Sequence, residues 1–183
     1  IVIIDIDEKS LSKLGQWPWS RNKVAKLVDN LFERQVALIA FDIVFAEADD
    51  SSGLGQLNQL ARTDFKDQPA FAERVRQLQP TLDYDGVFAQ SLKGRPVVMG
   101  YYLSNDRDAR ASGVLPVPVL TKADTMGRQV TATLWTGYGA NIEILASAAP
   151  LAGHFNPVID TDGVVRALPL LAEYKGEYYE SLS

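Results

Sequence analysis

The most constraining feature of the sequence is a one-sided stripe set between two apolar runs. Val24, Leu27, Val28, Leu31 and Phe32 fall at i, i+3, i+4, i+7 and i+8. That spacing predicts an amphipathic helix over residues 21–34, with Ser20 placed as its N-cap. Before it stands IVIIDI (residues 1–6), and after it VALIAFDIVF (residues 36–45). Continuous runs rich in β-branched residues read as strands buried on both faces. Strand, helix and strand with short connections predict a right-handed parallel βαβ unit, residues 1–6 pairing with 36–42.

Further along, residues 47–66 are polar and read as a surface excursion with one short helix. Phe71, Val75 and Leu78 predict a helix over 68–79 that Pro80 ends. Asp83 is placed to cap a helix running to Lys93, with Gly94 as its stop. PVVMGYYL (96–103) reads as a third strand. Residues 104–130 are charged and aperiodic, and read as a long loop insertion. A helix near 141–149 capped by Asn141 follows. Strands near 154–159, 164–173 and 177–179 are joined by turns at Asp160-Thr161-Asp162-Gly163 and Lys175-Gly176. The expected fold is α/β: a mixed sheet with a parallel βαβ start and a C-terminal antiparallel meander, helices on the sheet faces.

At 183 residues the chain fits a single domain by the usual scale of roughly 100–200 residues. A chain this long buries about 70% of its unfolded surface without disulfide or metal. The net charge of −5 argues against a nucleic-acid partner. Without cysteine, disulfide scaffolds, thiolate metal sites and cysteine nucleophiles are excluded. The longest uncharged run, Ile144 to Ile159, holds 16 residues and two prolines, against about 20 for a spanning helix. The chain opens without Met inside an apolar run, as a piece of a longer protein would.

Four strings carry chemistry. Asp5-Ile6-Asp7 ends an apolar run as haloacid-dehalogenase-like phosphatases begin, with Asp5 as nucleophile and Asp7 as acid/base. Lys9 stands where that motif has Thr or Val, and such acids also cap following helices. Gly15-Gln16-Trp17-Pro18-Trp19-Ser20-Arg21 makes a stiff aromatic lip. Arg21, at a helix start where the dipole disfavours it, is expected to pair with an acid or contact an anionic ligand. Asp42, near the C-terminal end of its run, would lie beside Asp5 and Asp7 in a parallel sheet. Three acids there would bind a divalent cation or share protons, which makes a small metal-assisted phosphohydrolase the alternative function. The fourth string, Asp160 to Arg166, reads as a hairpin turn with Gly163 at positive φ and Arg166 paired back to an acid. Arg21 and Arg166 are each expected to contact a carboxylate of Asp5, Asp7, Asp42, Asp160 or Asp162.

Taken in order, the Asp-x-Asp strand end, GQWPWSR at 15–21, AFDIVFAEAD at 40–49 and DTDGVVRALPLL at 160–171 resemble the type-two CHASE domain. CHASE denotes the cyclase/histidine-kinase-associated sensory extracellular domain. The resemblance runs the length of the chain and covers the N-terminal portion of the family domain. It implies an extracytoplasmic, non-catalytic sensor flanked by transmembrane helices in a bacterial inner-membrane receptor. The implied output is an adenylate or guanylate cyclase, a histidine kinase, a diguanylate cyclase or a serine/threonine kinase. No cofactor and no metal are implied. The partners would be an unknown small molecule or protein, the output domain and, in some arrangements, a second copy. Candidate ligand-binding residues are Asp5, Asp7, Trp17, Trp19, Arg21, Asp42, Asp160, Asp162 and Arg166.

Overall fold

A computed structural model describes every residue except 127, 129, 160 and 183. The chain forms two compact units, residues 1–31 with 49–91, and residues 32–48 with 92–183. Helices and mixed sheets with parallel and antiparallel strands make it α/β, as expected.

The first unit is helical, built from α1 (Glu8–Leu14), α2 (Arg21–Glu33, through Leu31), α3 (Leu54–Arg62), α4 (Pro69–Leu82) and α5 (Tyr84–Leu92, through Ser91). The stripe on α2 turns inward as its period requires, burying Val24, Ala25 and Val28. Val75 of α4 and Phe88 and Ala89 of α5 are buried too. Asp83 caps α5 as predicted, its Oδ1 accepting the Gly86 N–H at 3.0 Å. Pro80 does not end α4, which runs on to Leu82. In the last turn a missing N–H leaves only one intrahelical bond unmade, a cost a helix end tolerates.

Residues 1–6 form no strand, and Ile1 to Ile4 are exposed. A β-branched run says what a segment is suited to bury. Whether it becomes a strand depends on a partner edge, and none is paired with it here. The short helix α1 that follows was not anticipated.

In the second unit, the run at 36–45 narrows to β1 (Ile39–Ala40). It pairs in parallel with β2 (Val97–Ser104), Ile39 opposite Val97. The run at 36–45 therefore has a parallel partner, but that partner is β2 and not residues 1–6. The helices between the two strands in sequence are α3 to α5 and not α2. β7 (Leu151–His154) also runs parallel to β2, and β6 (Gly137–Gly139) pairs antiparallel with its far end. β3 (Ala111–Ser112) lies along β6. A second sheet orders β4 (Leu120–Thr121), β11 (Glu177–Glu180), β10 (Leu171–Tyr174) and β5 (Thr133–Trp135). The meander expected at the C-terminus appears as the β10–β11 hairpin and the separate pair β8 (Val158–Ile159) and β9 (Val165–Ala167). The strand expected over 164–173 breaks at Pro169, which has no N–H to donate and restrains Leu168. Tyr101, Leu103, Ala140, Ala172, Tyr174 and Tyr179 form one hydrophobic core cluster of this unit, and Phe45, Val97, Met99 and Leu145 are buried in the unit as well.

Asn141 does not cap α6 (Glu143–Ala148), whose N-cap is Ile142. Its side chain is buried instead, accepting the Phe45 N–H at 2.8 Å and donating to the Gly100 carbonyl at 2.9 Å. Buried irregular backbone needs such partners, and that demand outweighs a cap that water can replace.

Candidate functional site

The aromatic lip folds onto the end of α1. Gly15 closes that helix, and its carbonyl accepts the Trp19 indole N–H at 2.7 Å. The Leu14 carbonyl accepts from Lys23 Nζ at 2.7 Å. Two carbonyls that the helix leaves unpaired are thus taken up by side chains from the next element. Trp19 is buried, and Trp17 meets it edge-on at a centroid distance of 5.8 Å. The lip is packed, with Trp17 its half-buried outer face.

Arg21 stands at the next step along the chain, and it meets two carboxylates outside the set expected for it, those of Asp49 and Asp85. The Arg21 backbone N–H donates to Asp49 Oδ2 at 2.6 Å. A carboxylate from elsewhere in the unit thus occupies the positive end of α2, while the Ser20 hydroxyl donates to Asn22 Oδ1. The Arg21 Nε lies 3.7 Å from Asp85 Oδ1, with the two side chains 11% and 12% exposed. Asp85 Oδ2 accepts the Asp49 N–H at 2.8 Å, closing the circuit. Asp49 Oδ1 also accepts from the Ser51 N–H at 2.9 Å.

Electrostatics separate the two acids. Burial pushes Asp49 up, but the hydrogen bonds from Ser51 and from the Arg21 N–H outweigh it and hold its carboxyl below the ordinary value. Burial raises Asp85, and its contacts with the Asp49 N–H and Arg21 offset this only in part. Burial likewise lowers the Arg21 guanidinium, opposed by the two carboxylates. One arginine therefore sits between an acid that holds its charge readily and one that resists it. Both acids were missed as Arg21 partners, although Asp49 ends the AFDIVFAEAD string. Asp85 lies in a helix with no flanking motif, and only the chain's path brings it to Arg21.

The other candidates are dispersed. Asp7 caps α1, its Oδ1 accepting from the Ser10 N–H at 2.8 Å and from the Ser10 hydroxyl at 2.6 Å. Asp5 and Asp42 are exposed. Among the described residues, no group of three or more His, Asp or Glu side chains is placed to hold a metal ion. The expected Asp5–Asp7–Asp42 cluster is thus not formed as a cation site. Its premise was pairing of residues 1–6 with 36–42, and that pairing is missing. Arg166 meets its expectation: its guanidinium grips both Asp162 oxygens at 2.9 and 2.8 Å, lowering the Asp162 carboxyl. Gly163 has φ +81°. Asp160 lies outside the described residues.

A concavity of about 490 Å³ opens in the second unit over β2, β6 and β3, lined by Tyr102, Ser104, Asp106, Arg110, Ser112 and Tyr138. Its volume is that of a small-molecule pocket. No sequence motif marks it, because its walls come from three short strands. Among the described residues, no helix is long and apolar enough to cross a membrane.

Comparisons with curated proteins and with solved structures found no match. The model of the CHASE2 domain family matches residues 1–183. The chain belongs to the CHASE2 family, sensory and non-catalytic domains of signalling receptors.

Proposed function

We propose that residues 1–183 act as the extracytoplasmic sensory domain of a receptor in a bacterial inner membrane. A small-molecule or protein ligand would bind this domain. Flanking transmembrane helices would carry the change inward to a cyclase or kinase output domain. The observation that carries this reading is the node of Arg21, Asp49 and Asp85. The Arg21 and Asp85 side chains are 11% and 12% exposed, a burial at which charge is costly unless paired. The node joins the start of α2, the segment at 49–51 and the start of α5. A ligand that favours one pairing over another shifts the population of two arrangements by its differential affinity. Binding and relay suit such a node better than turnover, which needs an acid and a base placed at one reacting atom.

The test uses the intact receptor. Trp19→Ala and Arg21→Ala are expected to change output activity while leaving the amount of receptor in the membrane unchanged. Phosphate-ester turnover by the purified domain with magnesium, abolished by Asp5→Asn, would overturn the sensory reading.

A further inference from the structure

The second unit holds a group that the Arg21 node does not use. His154, the only histidine of the chain, ends β7 and is 1% exposed. Among the described residues neither ring nitrogen has a hydrogen-bond partner. β7 is held on both sides. On one it pairs with β2, where His154 is in register with Tyr101. On the other, the His154 carbonyl accepts the Leu182 N–H at 2.8 Å. The Tyr101 ring stands edge-on to the imidazole at 6.3 Å, itself fully buried, with its hydroxyl also unpartnered.

We propose that His154 makes this sheet responsive to acid: a proton taken from solvent onto a ring nitrogen places an uncompensated charge between β2 and residues 181–182 and opens β7 from its neighbours. The inference rests on the sensory reading above, to which it adds the proton as stimulus.

The surroundings decide the sign. Tyr101 is the titratable group presented by β2, and burial raises its hydroxyl pKa, so it stays neutral. From β11 come Tyr179, whose hydroxyl donates to Glu177 Oε2, and Glu180, which is exposed. No carboxylate among the described residues is within ion-pair reach of the imidazole. Burial alone shifts His154, and it lowers the pKa. The unfolded or opened sheet therefore binds the proton before the closed one does. Stability from the neutral ring is complete above the ordinary imidazole value near 6.5 and is lost as pH falls through the lower value of the closed state.

With a single histidine, the imidazole resonances of the whole chain titrate one site. The expected midpoint lies below about 6.5. Exchange protection of the Phe155 and Leu182 amides, which bond to the Tyr101 and His154 carbonyls, is expected to fall about tenfold per pH unit between 6.5 and that midpoint. His154→Phe and His154→Gln should abolish the slope. Should neither variant fold, the titration and protection of the unaltered chain decide alone. A midpoint at or above the ordinary value, or protection that is flat with pH, overturns the proposal. In the intact receptor, an acid response that survives His154→Phe removes His154 as the site that takes the proton and leaves the sensory reading standing. Output indifferent to deletion of residues 1–183 removes the sensory reading itself.

Discussion

Asn141 Oδ1 accepts the Phe45 N–H at 2.8 Å across 96 residues of sequence, and the next backbone N–H, that of Ile142, returns to the Phe45 carbonyl at 2.9 Å. The same amide donates to Gly100 on β2. One buried side chain thus ties the segment after β1 to the central strand. Asn141→Leu fills similar volume but leaves the Phe45 N–H and the Gly100 carbonyl without that partner, at about 1–3 kcal/mol for each unpaired group. Urea unfolding should show a lower midpoint with an unchanged slope. A shift below about 0.5 kcal/mol would mean that the backbone bond from Ile142 carries the junction alone.

Arg21 and Asp85 should be energetically coupled despite their 3.7 Å separation. Removing the guanidinium leaves Asp85 as a buried acid whose remaining support is the Asp49 N–H. Arg21→Met is expected to cost about 1–3 kcal/mol, more than an exposed pair would. In an Asp85→Asn background the same substitution should cost less, with a coupling of about 0.5–3 kcal/mol. Strict additivity in the double-mutant cycle would show that the two groups do not sense each other.

What could be read from the sequence follows the range of the forces involved. The α2 stripe and the Asp83 cap depend on neighbours within a few residues, and both stand as read. The turn at Asp162–Arg166 is likewise local, and its ion pair formed where the sequence placed it. Residues 1–6 and 36–45 were harder, because a strand needs an edge that only the rest of the chain supplies. Asn141 shows the same limit from the other direction: a residue suited to a local cap was taken by two distant backbone groups. For the site, Trp19 and Arg21 were legible through their motif. Asp49 and Asp85 were not legible as Arg21's partners, since a loop and two helices separate them and no spacing rule links them. His154 offered only its uniqueness, and its burial comes from pairing across three segments.

Gly113 offers a check on the strands around the concavity. It has φ +74°, and a Cβ there would lie 2.0 Å from the Ala140 carbonyl oxygen. Gly94 has φ +73° and nothing within 4 Å of the same position. Both alanine variants incur the left-handed backbone cost of roughly 1–2 kcal/mol. Only Gly113→Ala adds a clash with backbone that has no side-chain freedom to yield. It should therefore lose about 1–3 kcal/mol more than Gly94→Ala. Thermal unfolding of the two variants side by side measures the difference, and equal losses would mean that β3 and β6 separate readily.

The two acids of the Arg21 node should bend the acid limb of stability in opposite directions. Asp49 has a carboxyl held below its ordinary value, its hydrogen bonds from Ser51 and the Arg21 N–H overcoming burial. The folded chain then binds fewer protons at this site than the unfolded chain. Its contribution is complete above the unfolded value of about 3.9 and is lost as pH falls through the folded value. Asp85 is raised, chiefly by burial. Its contribution is complete below the unfolded value and is lost as pH rises through the folded one. Asp49→Asn keeps an oxygen to accept the Arg21 N–H, so the helix start survives while the titration is removed. Unfolding free energies between pH 2.5 and 6 should therefore rise less steeply in Asp49→Asn than in the unaltered chain, and more steeply in Asp85→Asn. Identical slopes in all three chains would remove the electrostatic division of labour assigned to this pair, leaving both acids as hydrogen-bond acceptors alone.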